Sequence, residues 1–440
     1  MEDPRLSRMY VALAKQRFNE WCIRVWQATV VRSGVVTMAV LALLLVGLAF
    51  VWREHKRGRF ALLKAEMKRP VPPRVPPPPQ PGGQDAIVLE RSQIEGGTQP
   101  EFLSATLLPG RGMNVLQIKA FVPQKGEVQL LASPAMDEAA KRMSGKGADA
   151  NGWASLAMGG AIEAPWAGRI FGTPTDGGLS VMWNGQTLHL PAERSNGAAV
   201  ARGGLLLRRA STTVKTTAMP DGGEADAVYD TGSFDGDWPS GMQLATTVQL
   251  SSRALEMRVV AHNTGREPQP VGIGWRPRFA VLNGDRGGLM LRLPSATRTE
   301  IRDRHTGLPS GRLLPVAGTE YDFSGRTGAA LGGLSLDDTF VHLRQALLDS
   351  GPVAELRDPT DNYGLRITML SSSIKAVHVE APAGADFITI APRLNYDDPF
   401  GREWPKDEDT GMAVLQPGQS AQWRIRLEIF SLTSSGGDRL

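Results

Sequence analysis

The chain has 440 residues, 49 of them Gly and 31 Pro, and a formal net charge of +4. That charge is split: residues 1–74 hold 14 Lys/Arg against 5 Asp/Glu, a net of +9, which leaves −5 for residues 75–440. Basic charge confined to one end, with no basic patch interleaved with aromatics, argues against a nucleic-acid partner. The single cysteine, Cys22, excludes disulfides, cysteine metal sites and a cysteine nucleophile from everything after it.

Residues 1–34 form a basic amphipathic segment. Over residues 5–31, Met9, Leu13, Phe18, Trp21 and Trp26 could lie on a membrane or pack against a neighbouring membrane protein. Cys22 is either a plain interfacial cysteine or a lipid-attachment site beside the bilayer. Residues 35–52, from Val35 to Trp52, run 18 residues without a charge and read as a single transmembrane helix. The stretch starts too late for a cleaved signal peptide and no A-x-A site follows it. Residues 53–69 read as a basic juxtamembrane helix and residues 70–86 as a linker. Within the linker, Pro70-Val-Pro-Pro-Arg-Val-Pro-Pro-Pro-Pro79 is a stiff polyproline spacer.

Orientation is contested within the sequence. Arg53, Lys56, Arg57, Arg59, Lys64, Lys68 and Arg69 outnumber Lys15, Arg17, Arg24 and Arg32 on the other flank, and the positive-inside rule then puts the large domain in the cytoplasm. An uncleaved anchor followed by a rigid spacer is the usual way to hold a domain out in the periplasm. The expectation adopted is an inner-membrane, single-pass protein with a periplasmic domain.

Residues 87–440 read as one β-rich domain. Leu116, Ile118, Ala120 and Val122 alternate into a turn at Pro123–Gly126 and a second strand to Leu131. Met242–Leu250 and Ala254–Ala261 alternate apolar and polar side chains and end at the turn Asn263-Thr-Gly265. One short helix is expected at Met136–Met143, and Ser420–Phe430 reads as a closing strand. No repeat of fixed period stands out. The six histidines show no metal-ligand spacing. Asp397-Asp398 and Asp407-Glu408-Asp409 lack a calcium-loop pattern and read as solvated loops. Gly110-Arg-Gly-Met has no following helix and is no phosphate loop. With no haem motif either, no cofactor and no metal is expected.

Several stretches resemble the galactose mutarotase (aldose 1-epimerase) family. Pro165-Trp-Ala-Gly-Arg-Ile170 is similar to its early arginine segment. Ala261-His-Asn-Thr-Gly followed by Gly274-Trp-Arg-Pro-Arg-Phe279 resembles its "N-T-G … G-x-H-P-Y-F" stretch. Leu308-Pro-Ser-Gly-Arg-Leu-Leu-Pro-Val316, Gly318-Thr-Glu-Tyr-Asp-Phe323, Leu336-Asp-Asp-Thr-Phe-Val341 and Leu415-Gln-Pro-Gly418 follow in the family's order. The resemblance spans about residues 100–430 and implies an all-β fold, a large antiparallel β-sandwich after a single N-terminal transmembrane helix.

Family chemistry uses an acid histidine, a second histidine and a base glutamate. By resemblance these would fall at Arg276, near Val200–Leu205, and near Ala391, so all three positions depart from the pattern. Two sugar-contact positions are kept, Arg169 and Asp337; the alternative for Arg169 is a buried ion pair and for Asp337 a turn. Arg276 and Arg278 could make the pocket an anion site, since guanidinium binds carboxylate or phosphate in bidentate fashion, or could serve packing alone. The expected ligand pocket, for sugar or anion, is therefore Arg169, Arg276 and Asp337, with no catalytic residue assigned. His262 or His305 with Asp338 would be a displaced acid–base pair if activity survives.

The expectation is a membrane-anchored, non-enzymatic subunit that acts as a structural or binding part of a larger inner-membrane assembly, respiratory or photosynthetic among the options. Its expected partners are the bilayer, other membrane subunits and carbohydrate. The alternatives are an active aldose 1-epimerase or related sugar-modifying enzyme, and an envelope carbohydrate-binding module.

Overall fold

The computed structural model describes residues 14–25, 34–67, 77–91, 97–195 and 197–433. The chain divides into two compact units, Met1–Pro77 and Pro78–Leu440.

In the first unit, residues 14–25 are helical, and Gly34–Met67 forms one uninterrupted helix of 34 residues. This helix covers the expected anchor and most of the expected juxtamembrane helix without a break. Neither stretch contains proline, and Gly47 and Gly58 are tolerated singly. Its Val36–Lys64 stretch is long and apolar enough to cross a membrane. Lys56 lies 4.1 Å from the centre of the exposed Trp52 ring, which leaves the cation beside an aromatic of the kind found at bilayer interfaces. Phe18, Trp21, Leu41, Leu45 and Leu48 line an apolar groove of ≈ 460 Å³ shared by the two helices. Met9, Leu13, Trp26 and most of the proline run lie outside the described residues.

The second unit is built from antiparallel strands because its sequence alternates with period two between turn residues. The expected hairpin is present: Asn114–Val122 pairs with Gly126–Gln129, Val122 facing Gly126. Met242–Leu250 and Ala254–Asn263 alternate buried and half-exposed side chains and pair from Leu250↔Leu255 to Met242↔Asn263. The Asn263 side chain closes the turn after them, accepting from the Gly265 N–H at 3.0 Å. The closing strand, Ser420–Ser431, pairs with Ala254–Asn263 on one side and Tyr363–Met369 on the other. The expected short helix is Met136–Arg142, with Asp137 and Glu138 in its first turn and Lys141 and Arg142 in its last, charges that suit its dipole.

Among the described residues these strands form an 11-stranded and a nine-stranded sheet, with smaller five- and two-stranded sheets beside them. A single hydrophobic cluster joins the two large sheets, with Val377, Val379 and Ile388 from one and Val259, Trp423 and Leu427 from the other. The Trp423 indole N–H reaches across to the Pro392 carbonyl at 3.3 Å. The domain is thus the large antiparallel sandwich the resemblance implies.

Two sequence readings need correction. Asp337 sits within the strand Leu336–Val341, not in a turn. Asp397 and Asp398 are buried rather than solvated: Asp397 takes the Arg169 N–H at 2.9 Å and Asp398 the Phe171 N–H at 2.9 Å, so both carboxylates clasp a neighbouring strand.

Candidate functional site

Strand register places the site. In the 11-stranded sheet, Gly274–Ala280 pairs with Phe387–Arg393, which pairs with Ala376–Ala381, which pairs with Leu336–Val341. Alternation sends Val377, Val379, Ile388 and Phe340 into the core and the residues between them to the opposite face. Across that face, Arg278 aligns with Thr389, Glu380 and Asp337. One step along, Ala391 and His378 align with Thr339, and the same register sets Arg276 beside Ala391. In the next row Glu163, Gly274 and Arg393 lie side by side. The strand Arg169–Thr175, from the five-stranded sheet, supplies Arg169 from the other side.

The result is a cleft of ≈ 220 Å³ lined by five arginines (Arg169, Arg202, Arg276, Arg278, Arg393), three glutamates (Glu163, Glu193, Glu380), Trp153, Leu156, Ala157 and Gly168. Of the three expected pocket residues, Arg169 and Arg276 line this cleft, and Asp337 lies beside it, bonded to Arg169. Ala391 is fully buried on the strand next to Arg276.

Ion pairs organise the lining. One Arg169 nitrogen donates to both Asp337 oxygens, at 2.8 and 2.7 Å. Arg276 pairs with Glu380 through a short contact. The Arg202 Nε lies 2.6 Å from Glu193, and Arg393 donates to Asp397 at 3.1 Å with Glu163 at 3.8 Å. Arg278 stacks on Phe387, its guanidinium carbon 3.4 Å from the ring centre. The Nε groups of Arg276 and Arg278 are buried without a hydrogen-bond acceptor. Buried donors normally find a partner, so these two can serve a ligand.

Backbone approach is tight here. Gly168 and Gly307 have φ of +75° and +79°, and an added Cβ would come within 2.4 Å of the Arg393 and Arg169 guanidinium nitrogens respectively. Only glycine holds both conditions without displacing an arginine.

Electrostatics follow from this layout. Burial pulls the Arg202 guanidinium pKa down, and the neighbouring Arg169 and Arg276 cations add to the effect. Burial likewise lowers Arg278, with Arg276 contributing. Burial would raise Glu380, but Arg276, His378 and Arg278 together outweigh it and the net shift is downward. Beneath the cleft, burial opposes ionisation of Asp337 and Asp397, yet Arg169 in the first case, and Arg393 and Arg169 in the second, hold both well below the usual carboxylate range. His378 is fully buried between them. Its Nε2 is 3.2 Å from Asp337, and its Nδ1 is 3.0 Å from the Thr339 hydroxyl, which also reaches Asp397 at 3.0 Å. Desolvation, with Arg393 adding to it, lowers its pKa and favours the neutral ring.

Sequence reasoning missed Glu380, His378 and Trp153. The first two lie on Ala376–Ala381, a strand outside the matched motifs, and only register brings them in. Arg202 and Arg393 were within sight: Arg202 occupies the Val200–Leu205 segment where the resemblance expects a histidine, and Arg393 lies two residues from Ala391, near which it expects the base. The displaced pair is not assembled. His262 is on the nine-stranded sheet, bonded to Ser420 at 2.9 Å. His305 is exposed, and Asp338 points to the core face and is held by Arg298 and Arg304 at 3.0 and 2.8 Å. Among the described residues no cluster of three or more His, Cys, Asp or Glu is placed to hold a metal ion.

The fold is shared with solved structures. A galactose mutarotase-like protein from Clostridium acetobutylicum aligns with a TM-score of 0.62 at 18% identity, covering 79% of this chain and 99% of its own. An aldose epimerase homologue from C. elegans aligns with a TM-score of 0.58 at 17% identity, covering 79% and 100%. A putative aldose 1-epimerase from Escherichia coli K12 aligns with a TM-score of 0.55 at 16% identity, again covering 79% and 100%. Curated protein sequences yield no match. The sequence profile of the aldose 1-epimerase family matches residues 147–428, well over half of the chain, and it is to this family that the protein belongs.

Proposed function

We propose that this protein is a membrane-tethered binding protein for an acidic sugar, without mutarotase activity, and that it works within a larger inner-membrane assembly with its domain in the periplasm. One observation carries the reading. The titratable groups lining the cleft are five guanidiniums, which keep their protons, and three glutamates, each facing an arginine at ion-pair distance. Mutarotation needs a group that gives a proton to the ring oxygen near neutral pH and another that takes one from the anomeric hydroxyl. A guanidinium does not give its proton up in that range, and His378 is sealed beneath Asp337.

Binding is better served. A cleft of ≈ 220 Å³ is smaller than the roughly 300–1,000 Å³ of pockets for drug-sized ligands, and suits a single sugar ring. Trp153, half-buried at the cleft, offers an apolar face to ring C–H groups. The unpartnered Nε groups of Arg276 and Arg278 suit a carboxylate on the sugar. The apolar groove shared by the N-terminal helices suits a transmembrane helix of another subunit.

Family membership favours the competing reading, an active epimerase, and two measurements separate them. Calorimetry on the full-length protein in detergent should show galacturonate binding and no galactose binding, with the signal lost in Arg276→Ala. Polarimetry should show galactose and glucose equilibrating at the uncatalysed rate. Acceleration by the wild-type protein that the Arg276→Ala variant lacks would overturn the proposal.

A further inference from the structure

Leu347 and Leu348 are 98% and 96% exposed. The other exposed large apolar residues of the domain, among those described, are Val88, Met182, Val214 and Val414, each single and about half exposed. The two leucines occupy the central positions of a turn closed by the Asp349 N–H to the Ala346 carbonyl at 3.1 Å. The turn is fixed to the domain at its base, where the Arg344 N–H meets the Pro294 carbonyl at 2.6 Å and the Gln345 side chain reaches the Asp349 carbonyl. A rigid turn thus holds two fully hydrated leucines outward, which costs hydrophobic free energy unless something covers them.

We propose that this turn dips into the lipid bilayer to which the chain is anchored, giving the domain a second, shallow membrane contact. Three observations favour lipid over a protein partner. A stable protein interface needs roughly 800 Å² from each side around a well-packed centre. Two leucines on a convex tip supply a small part of that, and no aromatic anchor accompanies them on the turn. The charges nearby are mixed: Arg344 is on the turn, while Asp349 and, across an adjoining cleft, Asp407, Glu408 and Asp409 are acidic, so a strongly charged partner gains little. The reach is adequate. Only 19 residues separate Met67 from Ile87, at most roughly 65 Å of extended chain, so the bilayer is always present at high local concentration. Shallow insertion of apolar side chains, too weak to recruit a free protein, is sufficient for a tethered one.

The test uses the full chain in nanodiscs of zwitterionic lipid. In a Cys22→Ser background, Leu348→Cys is labelled with an environment-sensitive nitrobenzoxadiazole dye, and Lys215→Cys, an exposed position on the nine-stranded sheet, serves as the comparison. The expected result is a blue-shifted emission at position 348. Nitroxide lipids should quench it several-fold more strongly than at position 215, with little dependence on salt. A water-like emission at 348, or quenching equal at the two positions, overturns the proposal. So does a blue-shifted emission that lipid nitroxides leave untouched, since that would mean a protein covers the turn.

Discussion

Asp397 ties the floor of the cleft together, and removing it tests whether the arginine cluster depends on buried countercharge. Its two oxygens take the Arg169 N–H at 2.9 Å, the Arg393 guanidinium at 3.1 Å and the Thr339 hydroxyl at 3.0 Å. In Asp397→Ala, Arg393, 1% exposed, keeps only Glu163 at 3.8 Å. Breaking a buried pair by removing one partner costs about 3–5 kcal/mol. For a domain this large each kcal/mol shifts the melting temperature by about 2 °C, so the expected fall is roughly 6–10 °C. Asp397→Asn keeps the shape and some of the hydrogen bonds but loses the charge, and isolates the pH term. The folded carboxyl is held below its unfolded value, so the native state binds fewer protons there. Its stabilisation is present above the unfolded value of about 3.9 and fades as pH falls toward the folded one. The wild type should therefore lose stability on acidification faster than Asp397→Asn. Differential scanning fluorimetry of the detergent-solubilised full chain across pH 3–7 reads both effects. An Asp397→Ala melting temperature within 2 °C of wild type, or identical acid limbs for wild type and Asp397→Asn, would refute the buried-countercharge argument.

Other outcomes are expected on the same physical grounds. Burial pushes the Asp398 carboxyl up to about 8, with Glu403 beside it; a raised carboxyl stabilises at low pH, and that contribution is lost as pH rises through about 8. Asp398→Asn should thus melt higher than wild type at pH 9 and close to it at pH 5, and a melting difference that does not change with pH would count against it. Gly307→Ala places a Cβ within 2.4 Å of the Arg169 guanidinium at a φ of +79°. It should cost about 1–3 kcal/mol in a thermal melt and weaken galacturonate binding by calorimetry at least tenfold; binding unchanged would separate Arg169 from the ligand. A reporter fused after Leu440 should be active in the periplasm, and activity of a cytoplasm-only reporter would favour the positive-inside count.

Much of the fold was legible because antiparallel strands with one buried face alternate, and that alternation is written in the order of side chains. Met242–Leu250 is the clear case, every second residue buried. Phe387–Arg393 is the opposite: all seven residues are buried, so no alternation marks which side faces the core and which the cleft. The motifs found Arg169, Arg276 and Asp337 because each sits in a local stretch. Glu380 and His378 are set by pairing between strands distant in sequence, and nothing local in Ala376–Ala381 distinguishes a core strand from one that also floors a cleft. Asp397 and Asp398 looked solvated because two adjacent acids usually are. They are buried because each finds backbone N–H groups of the Arg169–Phe171 segment, more than 200 positions earlier.

On the proposed function, the same geometry sets anion binding against mutarotation in this cleft. A catalytic acid works only if its environment lets it part with a proton near neutral pH. Here Arg276 stands where the family resemblance calls for the acid histidine, and Arg202 lies in the segment expected to hold the second; Arg276 lowers the proton affinity of Arg202 and Arg278, and Arg276 and Arg202 are each matched by a glutamate. Any imidazole placed among such cations would be driven toward its neutral form and donate poorly to a ring oxygen. Glu380, whose carboxyl is held below its ordinary value with Arg276 beside it, is a weak base. The cationic character that would draw in a carboxylate therefore suppresses both halves of the acid–base pair at once. That coupling gives the proposed lack of mutarotation and the proposed preference for an acidic sugar one cause.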